Sequence, residues 1–200
     1  MRRFAVIGQN AFASPDFSLD DLPATSGRLD VLLRCVRAAM LVSHGIRRDV
    51  TTYLILRGGQ SGPRVVRIDG GSVRFLRPDE RSLGTLVKKT LARESSEAVF
   101  RDVQPGIAMA LGDIDVVLGD GPCANVFLLE EGAPDVREEP RLGAADILVF
   151  VGDHRGVDEA SRGRLMAVGA HAVAVGPTSI HAEDAIAVLS NELDRRDRAT

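Results

Sequence analysis

Short apolar runs that end near glycine, alternating with segments of helical period, constrain this chain more than any other feature. FAVIG at 4–8 and VTTYLIL at 50–56 are continuously apolar and rich in β-branched residues, as strands covered on both faces of a parallel sheet must be. Between them, RLDVLLRCVRAAMLVSHG sets Leu29, Leu32, Leu33, Val36 and Met40 on one stripe, with Asp30 in the first turn and Gly45 as the expected stop. A second helix is expected from about Ser82 to Arg93. IAMAL, ANVFLL, DILVFVG and HAVAVG then supply four further strands. Asp158 opens the helix DEASRGRLMAV, with Leu165 and Met166 inward. HAEDAIAVLSNEL closes the pattern with Ile186, Leu189 and Leu193 on one face, a face that serves the core or a partner. Strands alternating with helices predict an α/β fold with a mostly parallel sheet between helices. One interruption is expected: RVVRI and SVRFL flank DGG and read as a hairpin at 64–76. PDFSLDDLPATSG, residues 15–27, reads as a long polar loop, and the tail DRRDRAT as frayed.

With 200 residues, 44% hydrophobic and 26% charged, the chain is sized for a single domain over 1–200. The apolar core of MRRFAVIGQN is too short for an export signal, and the longest apolar run, ILVFVG at 147–152, is far below a membrane span. A cytoplasmic protein without a membrane partner is expected. Cys35 and Cys123 lie far apart and form no CxxC, and His154, His171 and His181 lack the thiol or carboxylate pairing that zinc requires. No metal is expected. A net charge of −3 excludes a globally basic nucleic-acid coat and leaves room for a local patch.

Chemistry in an open parallel sheet collects where loops diverge from strand carboxyl ends. Three glycine loops fall at such places: LLEEG at 128–132, FVGDHRG at 150–156 and VGPTSIHA at 175–182. Each taken alone reads first as a strand-end turn, where glycine serves backbone geometry. None matches GxGxxG or GxxxxGK[ST], so none cradles a phosphate; backbone amides and carbonyls there suit a flat heterocycle instead.

Taken in order, GDHRG at 152–156, VGPTSIHAEDAI at 175–186, the N-terminal PDFSLDDLP and GRLDVLLRCV, and the central LRPDERSLGTLVKKTL resemble the TrmY family of tRNA pseudouridine N1-methyltransferases, members of the SPOUT class. The resemblance covers nearly the whole chain. It implies a C-terminal trefoil knot at about 144–195 that holds S-adenosylmethionine, a homodimer, and methylation of N1 of a tRNA pseudouridine in the T-loop, at position 54. Other outcomes compatible with the class are methylation of ribosomal RNA or of a ribose 2′-hydroxyl, or a weak cofactor- and RNA-binding module. Under the resemblance, Val175, Gly176, Ile180 and Ala182 wrap the cofactor, Leu129, Val151 and Gly152 line the other side, and Ser179 caps the last helix or donates to the ligand. Catalysis falls to Asp30, which orients or deprotonates the base, and to Arg28. RNA contacts fall to Arg28, Arg34, Arg77, Arg81 and Lys88, with Lys89 and Arg93 extending the stripe; His154 touches RNA or holds its own turn. Archaeal members often carry a cysteine in the final segment, where this chain has Ala185.

Overall fold

The fold described is a computed structural model, covering residues 1–93, 97–144 and 146–199, with side chains described through 197. In chain order the elements are β1 (Arg2–Phe12), α1 (Leu22–Thr25), α2 (Leu29–Met40), β2 (Leu41–Val42), β3 (Gly45–Ile46), β4 (Val50–Gly58), β5 (Arg64–Asp69), α3 (Glu80–Leu91), β6 (Arg101–Gln104), β7 (Ile107–Leu111), α4 (Ile114–Leu118), β8 (Asn125–Leu129), β9 (Ile147–Gly152), α5 (Glu159–Ala167), β10 (His171–Val173) and α6 (Ala182–Ala199). Eight strands form one sheet in the order β10-β8-β9-β1-β4-β5-β7-β6. Pairing is parallel from β10 through β4 and antiparallel from there to β6.

Strand alternation assigns each side chain to a layer. Phe4 and Val6 of β1, Leu54 and Leu56 of β4, and Val149 and Val151 of β9 point to the face covered by α2, α3 and α6. Ala5 and Ile7, Tyr53 and Ile55, and Leu148 and Phe150 point to the face covered by α4 and α5, where Val117 and Leu165 pack. Both faces are therefore apolar, which is why the central strands lack an alternating pattern in the sequence. Ile186, Leu189 and Leu193 are buried, and α6 lies on α2, so this face serves the core and is not a docking face.

Several expectations require correction. The hairpin is formed by β4 and β5, with Leu56 opposite Arg64, and not by residues 64–76. β5 already has β4 on one edge and β7 on the other, so SVRFL has no free edge to join. Its buried residues are Val73 and Leu76, three apart and not two. α2 ends at Met40, because Leu41 and Val42 pair with Ile46 and Gly45 in a small ribbon; Gly45 is not its stop. α3 begins two residues early, since Asp79 accepts from Ser82 N as its N-cap, and it ends at Leu91. Residues 15–27 are not all loop: Asp21 caps the short α1. Leu165 is buried as expected, while Met166 is only half-buried. The tail continues as helix to Ala199, and Thr200 lies outside the described residues. No helix among the described residues is long and apolar enough to cross a membrane.

Candidate active site

The carboxyl ends of β8, β9 and β10 open into a cavity of about 1050 Å³, walled on the far side by the first turns of α2 and α6. Its lining includes Leu129, Val151, Gly152, Val175, Gly176, Ser179, Ile180 and Ala182, so the structure brings together all eight residues expected around the cofactor. They come from three separate loops. The β9 turn is tight: a Cβ on Gly152 would lie 2.4 Å from the backbone carbon of Gly156, so glycine is needed for close approach. Asp153 holds that turn, its buried carboxylate accepting from Gln9 N at 2.8 Å and from Arg155 N at 2.8 Å. The chain leaving β10 is pinned by Ala174 N donating to Pro134 O at 2.8 Å and Val136 N donating to Ala174 O at 2.8 Å. Beyond that point, from Val175 to Ile180, no backbone amide among the described residues donates to another backbone carbonyl. Polar backbone that a protein leaves unpaired at a cavity wall needs water or a ligand to complete it.

Arg28 and Arg34 stand on the opposite wall. The turn before α2 runs through Gly27 at φ 64° and Arg28 at φ 69°. A Cβ on Gly27 would overlap Asn10 O at 1.8 Å, and Arg28 is the one non-glycine in the left-handed region among the described residues. Such a conformation costs on the order of 1–3 kcal/mol and persists only where neighbours impose it. The neighbour here is Asp30, 1% exposed, whose two oxygens accept from Arg28 Nε at 3.0 Å and Arg28 Nη2 at 3.1 Å. Arg34 Nη1 adds a bond to Asp30 Oδ2 at 3.0 Å, then reaches Glu80 at 3.2 Å and, through Nε, Glu183 at 2.7 Å. Burial acts to raise the Asp30 pKa, but the hydrogen bonds and charges of the two arginines outweigh it and hold the carboxyl below its ordinary value.

Other expected residues lie elsewhere or act differently. Ser179 does not cap α6, which starts three residues later; its hydroxyl donates to Glu131 across the cavity mouth. Arg77, Arg81 and Lys88 are outside the cavity. Arg81 pairs with Asp20 at 2.5 Å, and Lys88 Nζ donates to the carbonyl of Phe17. His154 and His181 both line the cavity, His154 with Nδ1 3.8 Å from Asp153 and His181 with Nδ1 3.6 Å from Asp184 at the start of α6. Among the described residues no group of three or more His, Cys, Asp and Glu is arranged to hold a metal. Sequence reasoning passed over Asp153 and the carboxylates Glu130, Glu131 and Asp184 that also line the cavity. Asp153 had a signal, an acid placed directly after a strand-ending glycine; the others had none, because surface carboxylates beside turns are common.

A family model described as "Putative SAM-dependent RNA methyltransferase" matches residues 1–198. A tRNA (pseudouridine(54)-N(1))-methyltransferase of Methanosarcina acetivorans is 40% identical over 195 residues, 98% of this chain and 92% of the relative. One from Halobacterium salinarum is 41% identical over 197 residues, covering 97% and 96%. Among solved structures, Archaeoglobus fulgidus Nep1 bound to S-adenosylhomocysteine superposes with a TM-score of 0.63 at 17% identity, over 88% of this chain and 73% of that one, a likeness of fold. A match spanning the whole cavity and both its walls leaves one assignment: the chain belongs to the family of S-adenosylmethionine-dependent RNA methyltransferases.

Proposed function

We propose that this protein transfers a methyl group from S-adenosylmethionine to N1 of pseudouridine 54 in tRNA, working as one domain in the cytoplasm and as a homodimer. The observation that carries the reading is the convergence of three glycine-punctuated loops on one cavity whose backbone edge at 175–180 is unpaired. The donor set fits the cofactor. Leu129, Val151, Val175 and Ile180 offer apolar surface to a purine, and the free amides and carbonyls beside them offer its edge a hydrogen-bonding pattern. A cationic ligand would meet Glu131, Asp153 and Asp184, beside Glu130 and Glu183, which are paired with Arg162 and Arg34, and the cofactor has no phosphate to need a glycine cradle. Ligand pockets run to roughly 300–1,000 Å³, so this cavity has room for a nucleobase beside the cofactor. The trefoil knot at about 144–195 belongs to the same reading. The bonds that lay the chain leaving β10 along Pro134–Val136 are consistent with it.

S-adenosylmethionine, when bound, supplies a methyl group on a sulfonium that departs readily. The chain's part is alignment of the reacting atoms and stabilisation of the base. Arg28, held in its left-handed turn by both oxygens of Asp30, presents a fixed cation at the cavity edge where an anionic nucleobase would sit. Asp30 orients and does not deprotonate: its oxygens are taken by two guanidinium groups, and its lowered pKa makes it a weak proton acceptor. The N1 proton leaves to solvent as nitrogen–carbon bond formation proceeds.

Incubation of the protein with cofactor and a tRNA carrying pseudouridine 54 is expected to add one methyl group to that nucleoside, read by mass analysis after digestion. A tRNA with uridine 54, which lacks N1–H, should stay unmethylated; methylation of both at ribose would overturn the reading. Gly176 has open space at its Cβ, so Gly176→Arg should fill the cavity without disturbing the fold and abolish cofactor binding in calorimetry.

A further inference from the structure

Ion pairing occupies many of the chain's cations, and with a net charge of −3 the grip on an RNA depends on those that remain. Arg34 is shared among Asp30, Glu80 and Glu183, Arg81 is tied to Asp20, and Lys88 to a carbonyl. The cavity wall itself is rich in carboxylates. Between β5 and α3, however, the chain turns Arg74, Phe75 and Arg77 into solvent. Among the described residues neither arginine makes a salt bridge; the charge of Arg77 is felt by Asp79, and its guanidinium carbon sits 5.4 Å from the centroid of the Phe75 ring.

We propose that Phe75, flanked by Arg74 and Arg77, is a stacking platform for an unpaired base of the RNA substrate, near the target nucleotide. The inference rests on the RNA reading above and deepens it. Phe75 is 66% exposed, the highest among the chain's exposed large hydrophobic residues. A loose loop does not account for this exposure. Val73 and Leu76 on either side are buried, Val73 N donates to Asp69 O at 2.8 Å, and Arg48 Nη1 donates to the carbonyls of Gly70 at 2.9 Å and Val73 at 2.7 Å. The loop is pinned with its aromatic ring outward. An exposed ring beside cations free to meet phosphates is the combination that holds single-stranded nucleic acid, the ring taking the base and the guanidinium groups the backbone. The patch is tied to the cavity wall through the chain: Phe75 is five residues before Glu80, so their Cα atoms lie within roughly 18 Å, and the Glu80 carboxylate meets the cavity-lining Arg34.

The chain has no tryptophan, so Phe75→Trp places a sole indole on the patch. Titration with a T-arm RNA hairpin carrying pseudouridine 54 is expected to quench it saturably, and a blunt duplex of equal length to quench it far less. Phe75→Ala should raise the KM for the hairpin about tenfold with little change in kcat, the equivalent of one stacked base, and Phe75→Tyr should restore it. Unchanged KM in Phe75→Ala, or equal quenching by hairpin and duplex, would overturn the platform. So would a shift from dimer to monomer in Phe75→Ala, which assigns the ring to a protein interface. If the wild-type protein binds cofactor but no hairpin, the RNA reading fails and the platform with it, an outcome distinct from a wild-type protein that binds and an alanine variant that binds equally well.

Discussion

Asp30 illustrates how one buried carboxylate sets the properties of a site. Two guanidinium groups hold it, and it in turn holds Arg28 in a backbone conformation that a free chain would rarely visit. Both arginines are partly exposed, so removing the charge should cost less than breaking a fully buried pair: Asp30→Asn is expected to lower stability by about 1–3 kcal/mol, measured by urea unfolding. The pH dependence has a definite sign. The folded-state pKa of Asp30 lies below its ordinary value near 3.9, so its contribution is complete above that value and is lost as the pH falls through the folded-state value. The stability gap between wild type and Asp30→Asn should therefore be flat from about pH 5 upward and narrow below about pH 4. A gap that widens in acid would contradict the ion-pair account. Asp30 was legible in the sequence as an acid in a first helical turn. The network around it was less legible: its partner Arg34 is one turn away, but Glu80 and Glu183, which pair with Arg34, are reached only through tertiary packing.

At the scale of elements, the β9–α5 turn shows why short glycine motifs carry weight. Gly152 and Gly156 approach too closely for a side chain, Asp153 bonds back to β1 through Gln9 N, and the Gln9 side chain bonds on to Asp158, the cap of α5, at 2.9 Å. Strand end, turn and helix start are thus one hydrogen-bonded unit. Gly152→Ala must push the turn open, and because Val151 and Gly152 line the cavity it should weaken S-adenosylmethionine binding at least tenfold in calorimetry while thermal unfolding remains cooperative. Unaltered affinity would show that this turn does not shape the pocket. The 72–76 segment, SVRFL, shows the opposite case. Its residues have strand propensity, yet β5 had no free edge to offer them, and tertiary context overrode the local preference.

For the whole molecule, the distribution of charge matters more than its sum. Among the described residues, four cations around α3 make no salt bridge: Arg74 and Arg77 in the loop before it, and the exposed Lys89 and Arg93 at its end. If these four meet phosphates, the slope of log affinity against log salt should be about −3, at roughly 0.7 per contact on a single strand. Hairpin binding measured across a range of potassium chloride concentrations checks this. A slope near −10 would mean that many more cations engage, and that the ion pairs seen here open on binding.

What the sequence by itself determined is the principal strands and helices and the faces they bury, because the period of the apolar residues records burial along a long element; the short α1, α4, β6 and the β2–β3 ribbon carry too few residues to show a period. It also located the three loops that line the cavity, since glycine after a strand marks a sharp turn and its position along the chain is a property of the sequence. What only the tertiary structure decided is which charges remain available. Arg34, Arg77, Arg81 and Lys88 look alike in the sequence, yet one sits in a network of three carboxylates, one rests over a phenylalanine, one pairs with Asp20 and one with a carbonyl. An electrostatic partner is chosen by distance in space, and nothing in the local period of a chain encodes the separation of residues tens of positions apart.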